Sequence, residues 1–165
     1  MQHSVSAPRS DDKHDTVSIL IVHGPHATGS SFTQELLSQL QQQAHAAGRS
    51  LKLCNCGDLQ DFVVQVCSVK SHTTEFVLLD PGDLTSQVHA HPEAGLAGAL
   101  DKLPTPYIEV HEKFGMELER GGSHPARVAT VIINGNLGSS YRIGLGIALR
   151  QLNAERRHND AESSS

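Results

Sequence analysis

The sequence predicts an α/β domain built on a parallel sheet of five strands with helices on both faces. Three observations carry that expectation. Short, continuous, β-branched apolar runs recur at residues 17–23, 51–55, 75–80, 107–111 and 127–134. Segments with helical periodicity separate most of them. Most of the runs stop at turn chemistry such as His-Gly-Pro, Asp-Pro-Gly or Asn-Gly. Alternating strands and helices of this kind close into a doubly wound sheet with right-handed crossovers.

VSILIVH (17–23) reads as a buried first strand. A Gly/Pro loop follows, and Ser30 or Ser31 is the expected cap of a helix running to about Ala47. Phe32, Leu36, Leu37, Leu40 and Ala44 form its apolar stripe, and Gly48 ends it. LKLCN (51–55) is the second strand. DLQDFVVQVCSV (58–69) is a short helix with Asp58 at its positive end. EFVLLD (75–80) is the third strand, closed by Pro81-Gly82. PEAGLAGALDKL (92–103) is helix-like but weakened by glycine, with Pro92 acceptable in the first turn. YIEVH (107–111) and RVATVIIN (127–134) are the last two strands. A helix capped by Ser139 or Ser140 covers 139–153. Residues 1–16 and 154–165 are polar and charged and are expected to be disordered tails, leaving 17–153 as a single flavodoxin-like domain.

Composition narrows the partners. The chain has 165 residues, 38% hydrophobic and 19% charged, enough for one substantial core. A formal net charge of −5 gives no general affinity for nucleic acid or anionic membranes. Eleven His stand against thirteen Lys plus Arg, so protonation near pH 6 reverses the net charge. Three Cys, at 54, 56 and 67, fit a reducing compartment better than a disulfide framework. Alternation in a strand explains Cys54-x-Cys56 better than a zinc site does. Residues 1–16 contain no signal-peptide apolar segment, and the reading is a cytoplasmic protein.

The chemistry concentrates where strands stop. In an open parallel sheet, ligands sit outside the carboxyl ends of the strands. His23-Gly24-Pro25-His26 ends the first strand, Asp80-Pro81-Gly82 the third, and Glu109-Val110-His111 the fourth. Gly24 permits a close backbone approach. Asp80 could bind a substrate hydroxyl or orient a histidine, or simply make a turn. Alternation puts Glu109 and His111 on one side of their strand, where a carboxylate fixes the imidazole tautomer and suits it to general-acid work. His89, His91 and Arg120 read, by themselves, as surface groups. A metal site from His23, His26, Asp80 and His111 is chemically possible, but the spacing carries no metal signature, and neither metal nor cofactor is expected.

From about residue 18 to residue 153 the chain resembles the type II 3-dehydroquinate dehydratases. ILIVHGPHATG resembles that family's strand and Asn-Gly-Pro-Asn turn. LLDPGD resembles its Asn-Pro-Gly segment, PTPYIEVHEKF its Pro-x-Ile-Glu-Val-His segment, and VIINGNLGSSYRIGLGIALRQL its closing turn and helix. The resemblance implies a flavodoxin-like lyase that converts 3-dehydroquinate to 3-dehydroshikimate, or catalyses a related dehydration of a cyclic hydroxy-acid. It also implies self-association as a trimer or dodecamer. His111 falls on the general acid and Glu109 on its supporting carboxylate. His91 and Arg120 fall on substrate-binding residues, with His23 and Asp80 at the positions of substrate-facing amides.

The departures are chemical. Both Asn of the first motif are His23 and His26, and the Asn before Pro-Gly is Asp80. Ala97-Gly98 replaces an Arg-Asp pair, and Lys113-Phe114 replaces a Ser-Asn pair. The family's lid, with its Arg and its proton-abstracting Tyr, is missing: Ala27-Thr28-Gly29 runs almost directly into the first helix. Tyr141 aligns with an ordinary tyrosine and does not replace it. Two readings follow. Either the chain remains a lyase with His26 or Asp80 as substitute base, or it is a non-catalytic ligand-binding or scaffold relative. A flavin- or phosphate-binding module is a third class, disfavoured by 4% aromatic residues and no Trp.

Overall fold

The computed structural model describes residues 18–27, 32–118 and 124–163. Strands β1 (Ile19–His23), β2 (Leu51–Asn55), β3 (Phe76–Asp80), β4 (Tyr107–His111) and β5 (Arg127–Ile132) form one sheet in the order β2-β1-β3-β4-β5. Every pairing is parallel. Helices α1 (Gln34–Ala46), α2 (Leu59–Cys67), α3 (Thr85–Ala90), α4 (Leu96–Asp101) and α5 (Leu137–Ser163) make the crossovers and cover the sheet. This is the flavodoxin-like, doubly wound arrangement expected from the alternating pattern.

Strand alternation separates two cores. Ile19, Ile21, Phe76, Leu78, Ile108 and Val110 face Leu36, Leu40 and Ala44 of α1 and Tyr141, Leu145 and Ala148 of α5. Val22, Val77, Leu79 and Tyr107 face Phe62 and Val66 of α2 and Leu96, Ala99 and Leu100 of α4. The central strands β3 and β4 are buried along their whole length, which is why they read as unbroken apolar runs. Burial of each large side chain is worth about 1.5–3 kcal/mol.

Local signals explain most ends. Thr33 caps α1 by accepting from Leu36 N at 3.0 Å, so the cap is not Ser30 or Ser31, which lie outside the described residues. Gly48 stops α1 with φ +74°. Asp58 caps α2 through Asp61 N at 2.8 Å. β5 ends at Ile132, two residues early, because Ile133 N donates to Ser140 Oγ and leaves the ladder.

Three expectations change. The helix expected over 92–103 is a single turn at Pro92–Ala94, then α4, because Gly95 adopts φ +85° between them. Helix α3 was not anticipated: only Thr85 of its six residues is buried, so it carries no apolar stripe. The last helix starts at Leu137, with Asn136 Oδ1 accepting from Ser139 N at 3.0 Å, so neither serine is the cap. It also runs on through Ser163 rather than stopping at Asn153. Its exposed extension is rich in Ala, Glu and Arg, has neither Gly nor Pro, and carries a His158–Glu162 pair one turn apart. No helix among the described residues is long and apolar enough to cross a membrane.

Candidate functional site

Two tight turns set the site at the carboxyl edge. Gly24 N donates to Asp80 O at 2.6 Å, and Asp83 N donates to Pro25 O at 2.8 Å, so the loops after β1 and β3 lie directly on one another. A Cβ at Gly24 would sit 2.2 Å from Pro81 O. One at Gly82, whose φ is +56°, would sit 2.4 Å from Pro25 O. The glycines permit the contact that brings His23, His26 and Asp80 together.

Asp80 is the hub. His23 Nδ1 donates to its Oδ2 at 2.6 Å and Tyr141 OH donates to the same oxygen at 2.7 Å. His26 Nε2 donates to the carboxylate at 2.9 Å, and its Nδ1 donates to Glu112 Oε1 at 3.1 Å. The two imidazoles stack with centroids 5.1 Å apart, and Phe32 packs on the His23 ring at the same distance. Asp80 and Tyr141 are wholly buried.

The electrostatics follow from that geometry. Burial opposes charge on Asp80, but hydrogen bonds from His23 and His26 outweigh it and hold its carboxyl below the usual range. Burial likewise opposes charge on His26, yet the Asp80 and Glu112 carboxylates raise it to about 9, so the ring is an imidazolium at neutral pH. Burial and the Asp80 charge push the Tyr141 hydroxyl well above its ordinary value, so it stays a proton donor. The three cysteines are free thiols. Burial and neighbouring Cys54 push Cys56 up to about 12, leaving it inert.

The second cluster is smaller. His111 Nε2 donates to Glu109 Oε2 at 3.0 Å, and both side chains are buried. Arg127 approaches the other oxygen at 3.9 Å. His111 Nδ1 is buried without a hydrogen-bond partner among the described residues.

The sequence pointed to one site from distant strand ends, and the sheet divides it. Leu79 pairs with Glu109, so Glu109 and His111 project toward α2 and α4. His23 pairs with Asp80, and both project toward α1 and α5, where Tyr141 meets them. The two clusters share the carboxyl edge from opposite faces. Glu112, the residue after β4, links them by taking His26. His91 joins neither: it is exposed, and its Nδ1 pairs with Glu93 at 2.8 Å. Arg120 lies outside the described residues, as do residues 28–31 in the segment where the lid was expected to be missing. Glu112 and Tyr141 carried no assignment in the sequence. The available signal was their position: one directly follows a strand end, and the other is a lone tyrosine in an apolar helix.

A cleft of about 540 Å³ opens at this edge among Gly82, Asp83, Thr85, His89 and Met116. Its Gly82 wall backs onto His26, whose Nε2 would lie 2.9 Å from a Cβ placed there. A cavity of similar size, about 510 Å³, lies by Ser18, Arg49, Glu75 and Arg156, away from both clusters. The first stands where parallel sheets bind ligands.

Comparison with known proteins identifies this constellation's setting. The chain is 28% identical over 148 residues to the 3-dehydroquinate dehydratase of Stutzerimonas stutzeri, covering 82% of this chain and 97% of that one. It is 28% identical over 148 residues to 3-dehydroquinate dehydratase 1 of Pseudomonas putida, covering 82% and 95% respectively. The fold is similar to a type II dehydroquinase from Propionibacterium acnes, with TM-score 0.60, 18% identity, and coverage of 81% of this chain and 97% of that one. A 3-dehydroquinate dehydratase-like protein from Bifidobacterium longum gives TM-score 0.55 at 18% identity, covering 82% and 98%. The family model for class II dehydroquinase matches residues 17–149, and the chain belongs to that family.

Proposed function

We propose that the chain is a carbon–oxygen lyase that removes water from a cyclic hydroxy-acid, 3-dehydroquinate or a close analogue. The observation that carries this reading is the His111–Glu109 pair. Glu109 fixes the imidazole through Nε2, and the buried Nδ1 has no hydrogen-bond partner among the described residues. A buried polar atom without a partner is costly, and a substrate hydroxyl would satisfy it. In this role His111 protonates the departing hydroxyl while Glu109 stabilises the imidazolium that supplies the proton.

The base must take a proton from the carbon beside the ketone. His26 is poorly placed for it, since both ring nitrogens already engage carboxylates. His23 is better placed: Asp80 and Tyr141 hold Nδ1, and Nε2 makes no hydrogen bond among the described residues. That is the geometry of an oriented general base. β3 alone lies between the strands bearing His23 and His111, so their backbones are roughly 10 Å apart; their side chains leave opposite faces of the sheet, so a cyclic acid serving both would have to lie across its carboxyl edge. Asp80 and His26 would then position the substrate, and the resemblance adds Arg120 and His91 to the substrate-binding set. Self-association as a trimer or dodecamer belongs to this reading, and light scattering tests it.

The test is an absorbance assay with 3-dehydroquinate, following the conjugated enone. Wild type should turn over, and His111→Ala should lose about 10²–10⁴-fold. Unchanged turnover in the variant would remove His111 from the chemistry. A second reading, a ligand-binding relative without turnover, is favoured by the engaged state of His26 and Tyr141. It requires a quinate-like acid to bind calorimetrically with no product formed.

A further inference from the structure

We propose that His23, His26 and Asp80 form a binding site for a divalent transition-metal ion of the zinc or cobalt kind. Each residue offers one ligand atom, and these atoms lie within 4.8 Å of one another. Two imidazoles and one carboxylate are a donor set that suits such ions and leaves a coordination position open.

The distances are those of ligands drawn together around a small volume. His23 Nδ1 lies 2.6 Å from Asp80 Oδ2, and His26 Nε2 lies 2.9 Å from both carboxylate oxygens. A tetrahedral ion with bonds of about 2.0–2.1 Å sets its ligand atoms roughly 3.3 Å apart. Reaching that spacing requires the two imidazole nitrogens to move outward from the carboxylate.

A second, independent observation is the support around the ligands. A metal-bound histidine commonly donates its other ring N–H to a carboxylate. His26 does so, with Nδ1 on Glu112 Oε1 at 3.1 Å and Nε2 turned to the Asp80 side. Tyr141 OH donates to Asp80 Oδ2 at 2.7 Å, which steadies the carboxylate, and lies 3.0 Å from His23 Nδ1. Charge also balances: one carboxylate among the ligands and one behind His26 match a dication. The paired Gly24 and Gly82 turns fix the loops that carry the ligands.

The proposal does not rest on the dehydratase reading, and its test reads metal directly. Full-length protein is dialysed against a chelator and titrated with zinc chloride by calorimetry, and with cobalt chloride by visible absorption. One saturable equivalent per chain is expected. Asp80→Asn and His26→Gln should each lose it, and Glu112→Gln should weaken it about tenfold. His45→Ala and His158→Ala, at exposed positions, should keep it. X-ray absorption of the zinc form should give two imidazoles and an oxygen ligand at about 2.0–2.2 Å. No saturable equivalent, an equivalent retained in both ligand variants, or sulfur in the shell would overturn the proposal. If the ligand variants fail to fold by circular dichroism, the wild-type absorption spectrum decides. Loss or presence of 3-dehydroquinate turnover leaves this result standing.

Discussion

His111 and Glu109 meet because they are two residues apart on one strand. His23, His26, Asp80, Glu112 and Tyr141 meet only because four separate stretches of chain converge, three side chains on Asp80 and Glu112 on His26. The first cluster is local and minimal, with one nitrogen held and one left open. The second is long-range and heavily bonded, with Asp80 serving three neighbours. The difference teaches that the two clusters divide the work of the edge. The long-range network fixes the loops, sets the charge at the edge and leaves His23 Nε2 without a bond among the described residues, while the local pair keeps His111 Nδ1 without a partner among them.

The largest test of that division is at the hub. Asp80→Ala strips His23, His26 and Tyr141 of their common partner and leaves each buried group short of a hydrogen bond. The expected loss is about 3–5 kcal/mol of unfolding free energy by urea denaturation. Glu109→Gln keeps shape and one hydrogen bond, so its loss should be smaller, about 1.5–3 kcal/mol, with a larger effect on turnover than on stability. If Glu109→Gln proves the more destabilising of the two, the clusters do not divide the work in this way.

The next largest effect lies in the turns. Gly24→Ala drives a Cβ to 2.2 Å from Pro81 O, a backbone atom that cannot rotate aside. The expected loss is about 3 kcal/mol, the upper end for overpacking, with the His23–Asp80 contact loosened and the His111–Glu109 pair intact. Nuclear magnetic resonance of the histidine ring protons separates these: the His23 and His26 signals should shift and the His111 signal should not.

How much of this was legible beforehand depends on the kind of information each feature needs. Five strands and their ends could be read because buried parallel strands are short apolar runs closed by turn residues. The pairing of Glu109 with His111 could be read because alternation operates within one strand. Which cluster shares a face with which could not, since that depends on register between strands: Leu79 opposite Glu109 puts Asp80 on the other side. Glu112 and Tyr141 were invisible for the same reason, being 32 and 61 residues from the carboxylate they serve or adjoin. Helix α3 escaped because a helix with one buried residue has no periodic stripe. The terminal extension of α5 escaped because its composition is polar, and helix propensity alone separates it from a tail.

The network also makes a prediction in pH. His26 is raised to about 9 from an ordinary 6.5 by Asp80 and Glu112 acting against burial. A group whose folded value is raised gives stability that is complete below 6.5 and disappears as pH climbs through about 9. In chelator-treated protein the melting temperature should therefore fall between pH 7 and pH 10. His26→Gln should flatten that part of the curve. A slope that survives His26→Gln would assign the titration to another group.

The smallest effect isolates a single bond of the hub. Tyr141→Phe removes the hydroxyl that donates to Asp80 at 2.7 Å while keeping the ring that packs edge-on against Phe32 at 5.0 Å. The net value of one such hydrogen bond is about 1 kcal/mol. Asp80 still holds two imidazoles in the variant, so the fold should survive. Turnover, if His23 is the base, should fall only modestly, because the carboxylate that orients Nδ1 is untouched. A loss of turnover as deep as that of His111→Ala would instead place Tyr141 among the reacting groups. That outcome would require a buried, undissociated phenol to reach substrate, which its complete burial against Phe32 and His23 opposes.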